Sequence, residues 1–379
     1  MNFFNTISSV SFFKELTQSF LKMNLTYSLS PLNFFCPSII DMILQHFTTE
    51  QLILMSETST DFYQFISTNR KFLGKVKLKI DLSRNISDRE FSKFMMNLKR
   101  NYRNIHFDGT EVVTKLLLVI KYHKTELKSI QLSNMIFNRL TLLQNFFDFI
   151  KNSAEELIIK SVFIFDCDRK ISISIPTLKT LVMTECNDQE NTFVKRVSFV
   201  VSDCENLEYL KMNYAGIAEP NQRKILMNNR KIKNLFLSDL ENSFFVNLEQ
   251  DVKFKLEKFT MRFSGRERYK LKPNFDNFLR SQQESLLNVE ISGWIRENVL
   301  KTIFLLPKLQ TFKVSKAKKC FLRILRQELE NGLQQSSSMK ELILADNLVN
   351  NQDLWQLLLT HAPNLNKFQL FHASYYAKC

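Results

Sequence analysis

One short pattern recurs along most of this chain and constrains its fold more than any other feature. The pattern has apolar residues at its first, fourth and sixth positions, as in LEYLKM from residue 207. Successive copies start 23 to 30 residues apart, which is the spacing of stacked repeats. The eleven copies start at residues 102, 127, 154, 178, 207, 232, 256, 286, 309, 339 and 365.

Each copy is predicted to be a short strand, and the segments between copies have helical spacing. In one such segment Leu140, Leu143, Phe147 and Ile150 lie on one helix face. An earlier copy, LGKVKL from residue 73, extends the series. The predicted fold is therefore an α/β solenoid of about eleven degenerate leucine-rich repeats, with strands on the concave face and helices on the convex face.

Composition narrows the class of protein further. Fifty-two Lys and Arg residues against 38 Asp and Glu give a net charge of +14 in 379 residues. No apolar run approaches the ~18 residues that cross a bilayer, and the N-terminus lacks the pattern of a secretory signal. Six scattered cysteines form no C-x-x-C pair, which favours reduced thiols over a disulfide or zinc framework. We therefore expect an intracellular protein, cytoplasmic or nuclear, with no membrane partner.

A different segment, residues 31–75, precedes the repeats. Its apolar residues predict three short helices, with Pro37 in the first turn of the first and Thr48 and Thr49 capping the second. Such a unit has too little core to be robust alone. The predicted domains are an N-terminal extension outside the fold (1–30), this helical domain (31–75) and the repeat domain (76–379).

The helical segment followed directly by repeats resembles the F-box/leucine-rich-repeat proteins. The family opens with Leu-Pro and has a Trp further along, where this chain has Cys36-Pro37 and Phe62. The other matching positions are Ile39-Ile40, Ile43-Leu44, Phe47, Leu52 to Ser56, and Leu73 with Val76. The resemblance implies that the helices dock on the small adaptor subunit of a cullin–RING (SCF) ubiquitin ligase while the repeats hold a protein target.

The apolar stripe of the helical segment supplies the candidate adaptor-binding residues. We expect Pro37, Ile40, Leu44, Leu52 and Met55 on the partner side, so that Leu44→Asp would abolish docking. The alternative is that these side chains pack internally, against the first repeat.

Strand alternation places the third, fifth and seventh residues of each copy on the concave face. Over the eleven copies these positions carry a net charge of only +2, which speaks against nucleic acid as a partner. One local group is a candidate site for an acidic or phosphorylated target protein. It comprises Tyr209, Lys211, Phe236, Lys258, Arg262 and Lys313. The alternative is solvated lysines beside two aromatic residues covered by loops.

The sequence offers no catalytic pattern. Its five histidines have no metal-ligand spacing, and its six glycines form neither a P-loop nor a dinucleotide turn. We expect a non-enzyme without a cofactor. Two further hypotheses are a repeat scaffold that binds a partner without ubiquitin chemistry, and a basic solenoid that binds RNA or an anionic membrane through charge.

Overall fold

The computed structural model describes most of the chain between residues 37 and 371. The residues in this range that it does not describe are 59, 70–71, 73–74, 83–85, 99–101, 110–112, 123–125, 138–139, 165–169, 185–197, 214–218, 239–241, 263–272, 294, 296, 316–319, 332–337 and 346–351. The predicted N-terminal extension and Cys36 therefore lie outside the described residues.

Twelve parallel strands form one continuous sheet, in the order β1-β2-β3-β4-β6-β8-β9-β10-β11-β12-β13-β14. The strand bounds are β1 Lys77–Asp81, β2 Asn104–Asp108, β3 Ser129–Phe137, β4 Glu156–Ile164, β5 Lys170–Ser174, β6 Thr180–Thr184, β7 Ser198–Ser202, β8 Tyr209–Asn213, β9 Asn234–Ser238, β10 Lys258–Arg262, β11 Asn288–Ser292, β12 Thr311–Ser315, β13 Glu341–Ala345 and β14 Lys367–Phe371. Each of the eleven copies contributes one strand, which begins at the third residue of the copy. The molecule is thus a mixed α/β protein with a long parallel sheet and a solenoid-like architecture.

The earliest copy lies two residues further along the chain than the sequence analysis placed it. Lys77 pairs with Asn104, the third residue of the next copy, so the pattern starts at residue 75 and not at residue 73. Val76, an apolar residue of the expected copy, is instead buried in the helical segment that precedes the sheet.

Helices connect most of the strands, and consecutive helices pack side by side, for example Glu297–Phe304 against Cys320–Glu330. The described helices are Pro37–Leu44, Thr49–Thr58, Thr60–Thr68, Asp88–Met96, Val113–Tyr122, Leu140–Ile150, Glu219–Asn228, Leu248–Asp251, Pro273–Ser281, Glu297–Phe304, Cys320–Glu330 and Gln352–His361, with a 3-10 helix at Asn242–Phe245. Every one of these helices is too short or too polar to cross a lipid bilayer.

Two repeats depart from the expected alternation of strand and helix. The segments after β4 and β6 contain the strands β5 and β7, which pair with each other in a separate parallel sheet. In β5 the buried Ile171 and Ile173 flank Ser172, and in β7 the buried Phe199 and Val201 flank the half-buried Val200. This period of two, with β-branched residues, favours a strand over a helix. The prediction of helices throughout the convex layer is therefore wrong at these two repeats.

The core runs along the whole sheet as one apolar layer between the strands and the helices. The fourth and sixth residues of the copies point into it, as Leu210 and Met212 do, while the third, fifth and seventh lie on the opposite, open face. Phenylalanine fills the layer. The ring of Phe245 lies 5.0 Å from Phe275 and 5.6 Å from Phe278, and Phe259 contacts both.

Three helices, Pro37–Leu44, Thr49–Thr58 and Thr60–Thr68, precede the sheet and have a small core of their own. We call them the helical module. Thr48 caps the start of the second helix: its Oγ1 accepts from the Gln51 backbone N–H, and Gln51 Oε1 accepts from the Thr48 N–H. Tyr102, from the second strand's repeat, packs against the module core and joins it to the solenoid.

Candidate protein-binding surface

The parallel register aligns the open-face residues of all twelve strands in three rows across the sheet. The middle row contains Lys211, Phe236, Thr260, Glu290 and Lys313 on five adjacent strands, β8 to β12. Adjacent strands are ~4.8 Å apart, so side chains that are about 25 residues apart in sequence become neighbours. The repeats therefore build one continuous surface from single residues of successive copies.

Phe236 is the centre of the group that the sequence analysis singled out. The Lys211 ammonium lies 4.5 Å from the centroid of its ring, and the Arg262 guanidinium carbon lies 5.0 Å from it. A cation over an aromatic face is attracted by the ring's quadrupole, and this attraction orders two otherwise flexible side chains. The structure thus brings together three of the predicted target-binding residues.

Glu290 joins this group, although the sequence analysis did not include it among the site residues. Its carboxylate lies 3.1 Å from Arg262 Nη2 and 3.6 Å from Lys313 Nζ, and its side chain is only 15% exposed. One carboxylate therefore neutralises part of the charge of two predicted target-binding cations. We call Lys211, Phe236, Arg262, Glu290 and Lys313 the Phe236 cluster.

The remaining predicted residues of this group lie in the first row. Tyr209 is half-buried, and burial raises the pKa of its hydroxyl, which keeps it a hydrogen-bond donor at neutral pH. Lys258 is exposed and is aligned with Asn234 and Asn288 on the neighbouring strands. It makes none of the contacts that define the Phe236 cluster. Burial also lowers the pKa of Lys211, and the positive charges of Arg262 and Lys160 act in the same direction.

A second polar group lies on strands β1 to β3 and was missed from the sequence. Lys77 Nζ donates to Gln131 Oε1 at 2.7 Å, and Gln131 Nε2 donates to Ser133 Oγ at 3.0 Å. His106 Nε2 lies 3.1 Å from the same hydroxyl. Aligning the copies gives each of these residues an open-face position, but only the register shows that they form one chain of contacts.

The predicted adaptor-binding residues are mostly interior. Ile40, Leu44, Leu52 and Met55 are at most 3% exposed, because they form the core of the helical module. This corrects their expected position on the partner-facing side. Pro37 begins the first helix, as expected for proline in a first turn.

The surface of the module instead presents two other large apolar side chains. Met42 on the first helix is 59% exposed and Leu54 on the second is 49% exposed. A three-helix unit buries one side of each helix, and these residues lie on the sides that its core leaves uncovered. Docking of the module on a ligase adaptor stays a prediction.

The described residues contain no group of three or more His, Cys, Asp or Glu side chains placed to hold a metal ion. Cys204 is buried, and burial raises the pKa of its thiol to about 11. A thiol with that pKa is almost entirely protonated at neutral pH and is a poor nucleophile.

Comparisons with known proteins leave the family open. No protein-family model matches this chain, and no curated protein matches it in sequence. Among solved structures, one similar chain comes from the crystal structure of the Rad7 and Elc1 complex in yeast, with 14% sequence identity and a TM-score of 0.39. The match covers 96% of this chain and 90% of that one. A likeness of this strength does not indicate a function.

Proposed function

We propose that this protein is the substrate-recognition subunit of an SCF-type cullin–RING ubiquitin ligase, acting in the cytoplasm or nucleus. The helical module would bind the ligase's small adaptor subunit, and the open face of the solenoid would bind a target protein. The protein would catalyse nothing itself and would use no cofactor. It would act by raising the concentration of target lysines near the ubiquitin-carrying enzyme.

The observation that best supports this proposal is the pair of exposed apolar side chains on the helical module. Met42 and Leu54 lie on the helical module, whose own core contains few residues. The module adjoins a long sheet with an accessible polar face. Large apolar side chains at such exposure are stabilised when a partner covers them. The F-box resemblance of the same helices indicates which partner to test.

The test is co-purification of the full chain with the small adaptor subunit, comparing two double variants. Met42→Asp with Leu54→Asp should abolish the complex, because two charges would be buried in the interface. Phe94→Asp with Met96→Asp is the matched control, since these side chains are 45% and 58% exposed on a solenoid helix. Leu44→Asp is unsuitable because it would place a charge inside the module core.

The proposal predicts a stoichiometric complex that the module variant loses and the control retains. Absence of a complex with the folded wild-type chain, or equal loss in both variants, would reject it. The second candidate function, a repeat scaffold outside the ubiquitin system, would then be favoured, because it needs only the Phe236 cluster and no adaptor contact.

A further inference from the structure

Charge is distributed unevenly along the open face. On strands β11 to β14, ion pairs join Glu290 to Lys313 and Glu341 to Lys367. On strands β1 to β3, Lys79 Nζ lies 3.2 Å from the Asp108 carboxylate. Both ends of the described face therefore carry cations and carboxylates in balance.

The middle of the face, strands β4 to β10 of the large sheet, is different. Its open-face positions hold four cations, Lys160, Lys211, Lys258 and Arg262, and one carboxylate, Glu156. Glu156 accepts a hydrogen bond from Ser129 on β3, towards the end of the sheet. The net charge of +2 over the open-face positions of all eleven copies does not show that the positive charge is concentrated on these strands.

Arg262 pairs with Glu290, but the other three cations, Lys160, Lys211 and Lys258, have no carboxylate within ion-pair distance among the described residues. Two of these three are Lys160 in the middle of β4 and Lys211 in the middle of β8, two strands away in the sheet. Burial lowers the pKa of Lys211 most, and the positive charges of Arg262 and Lys160 lower it further. Like charges held together without counter-ions cost the folded protein stability, and an anionic ligand would relieve that cost.

We infer that the middle of the open face binds a short acidic segment of a protein target, laid across strands β4 to β10. These strands are four spacings apart, about 19 Å, which an extended chain covers with about six residues. Carboxylate or phosphate groups on that segment would contact Lys160, Lys211 and Arg262, and the Tyr209 hydroxyl would donate to them. This inference deepens the proposed function and rests on it for the origin of the segment.

The balanced ends of the face favour a short acidic peptide over a nucleic acid. A nucleic acid strand is charged along its whole length and would bring phosphates close to Glu290, Glu341 and Asp108. Like-charge contacts of that kind oppose binding. A segment of about six residues that ends at Arg262 stays clear of Glu341 and Asp108, and it approaches Glu290 only where Arg262 and Lys313 pair with that carboxylate.

The experiment measures binding of a fluorescein-labelled hexaglutamate peptide to the full chain by fluorescence anisotropy, in about 50 mM salt to limit screening. Lys160→Met with Lys211→Met should weaken binding about tenfold. Lys79→Met with Lys367→Met removes the same charge from lysines that are paired with carboxylates, and should change affinity less than about twofold. Lys160→Met with Lys211→Met removes the repulsion between two like charges, so this double variant is expected to fold.

Equal weakening by both double variants would overturn the inference, since general charge would then explain the binding. Absence of hexaglutamate binding to the wild-type chain would overturn it as well. A single-stranded oligonucleotide that binds more tightly with the same dependence on Lys160 and Lys211 would replace the acidic peptide with a nucleic acid. Adaptor co-purification does not involve these lysines, so it distinguishes failure of this inference from failure of the proposed function.

Discussion

His106 lies half-buried on the open face, in surroundings that disfavour its protonated form. Burial contributes most to lowering its pKa, followed by the positive charge of Lys77. Lys79 and Lys160 act in the same direction, and Asp108 opposes them. As the pH falls, the unfolded chain therefore binds this proton before the folded protein does.

We predict that this histidine makes the free energy of unfolding depend on pH. A depressed folded-state pKa gives stability that is present above the unfolded value of 6.5 and is lost as the pH falls through the folded-state pKa. Urea unfolding between about pH 8 and pH 5 measures the loss, which His106→Gln should reduce. All other titrating groups are common to both proteins, so parallel pH profiles would contradict the prediction.

Two residues of one helix show that burial cannot be predicted from helical spacing alone. Leu44 and Met42 are both apolar residues of one helix, yet Leu44 is 2% exposed and Met42 is 59% exposed. Helical spacing places a residue on a stripe but does not say whether that stripe meets the chain's own core or a partner. The sequence analysis assigned the stripe containing Leu44 to the partner, and the structure assigns it to the core.

The phenylalanine-rich layer at strand β10 is the element whose packing is most specific. Phe259 on this strand is fully buried, with its ring centroid 5.6 Å from Phe278 and 5.8 Å from Phe275. Rings at such separations interact beyond the area that they bury. Interiors pack densely, so removal of one ring would leave a cavity that its neighbours fill only in part.

We predict that Phe259→Ala lowers the free energy of unfolding by about 3–5 kcal/mol, the usual range for a buried ring. Phe149→Ala is the control, because that side chain is 40% exposed on a helix, and its effect should stay below about 1 kcal/mol. Denaturant titration of both variants provides the comparison. Similar losses would mean that the layer repacks around the missing ring.

At the scale of the whole molecule, the described residues divide into two apolar clusters of very different size. The larger runs from Ile80 to Leu365 along the main sheet, and the partly buried Phe368 of the last strand packs against it. The smaller consists of nine buried residues in the helical module and its junction with the sheet, between Ile40 and Val76. Tyr102 packs against the smaller cluster. A unit with so small a core opens at a lower free-energy cost than the solenoid.

Hydrogen exchange should reveal this difference directly. We predict that backbone amides of Thr49–Thr58 and Thr60–Thr68 exchange faster than those of strands β9 to β12 in the free protein. Binding of the ligase adaptor should then slow exchange in the module and leave the central strands unchanged. Equal protection of module and strands in the free protein would show that the two clusters unfold as one unit.

The amino-acid sequence by itself determined where the strands of the main sheet lie. Apolar residues at the first, fourth and sixth positions can be buried only if each copy stacks on the next, so the period places eleven of the twelve strands. It also located most of the Phe236 cluster, because alternation assigns Lys211 and Phe236 to the open face. The shift of the first copy and the strands β5 and β7 were missed, because Val76 is buried by the module and the two short segments pair only with each other.

Tertiary structure alone decided which side chains meet. Glu290 lies between Arg262 and Lys313, and a chain of contacts leads from Lys77 to His106. Apart from the link between Gln131 and Ser133, the residues in contact are 23 to 54 positions apart in sequence. Such contacts depend on strand register and side-chain direction, which local propensity does not encode. The distribution of charge on the open face has the same origin. Ion pairs between side chains of neighbouring repeats decide which charges are neutralised, so the two ends of the face are balanced and the middle keeps an excess of positive charge.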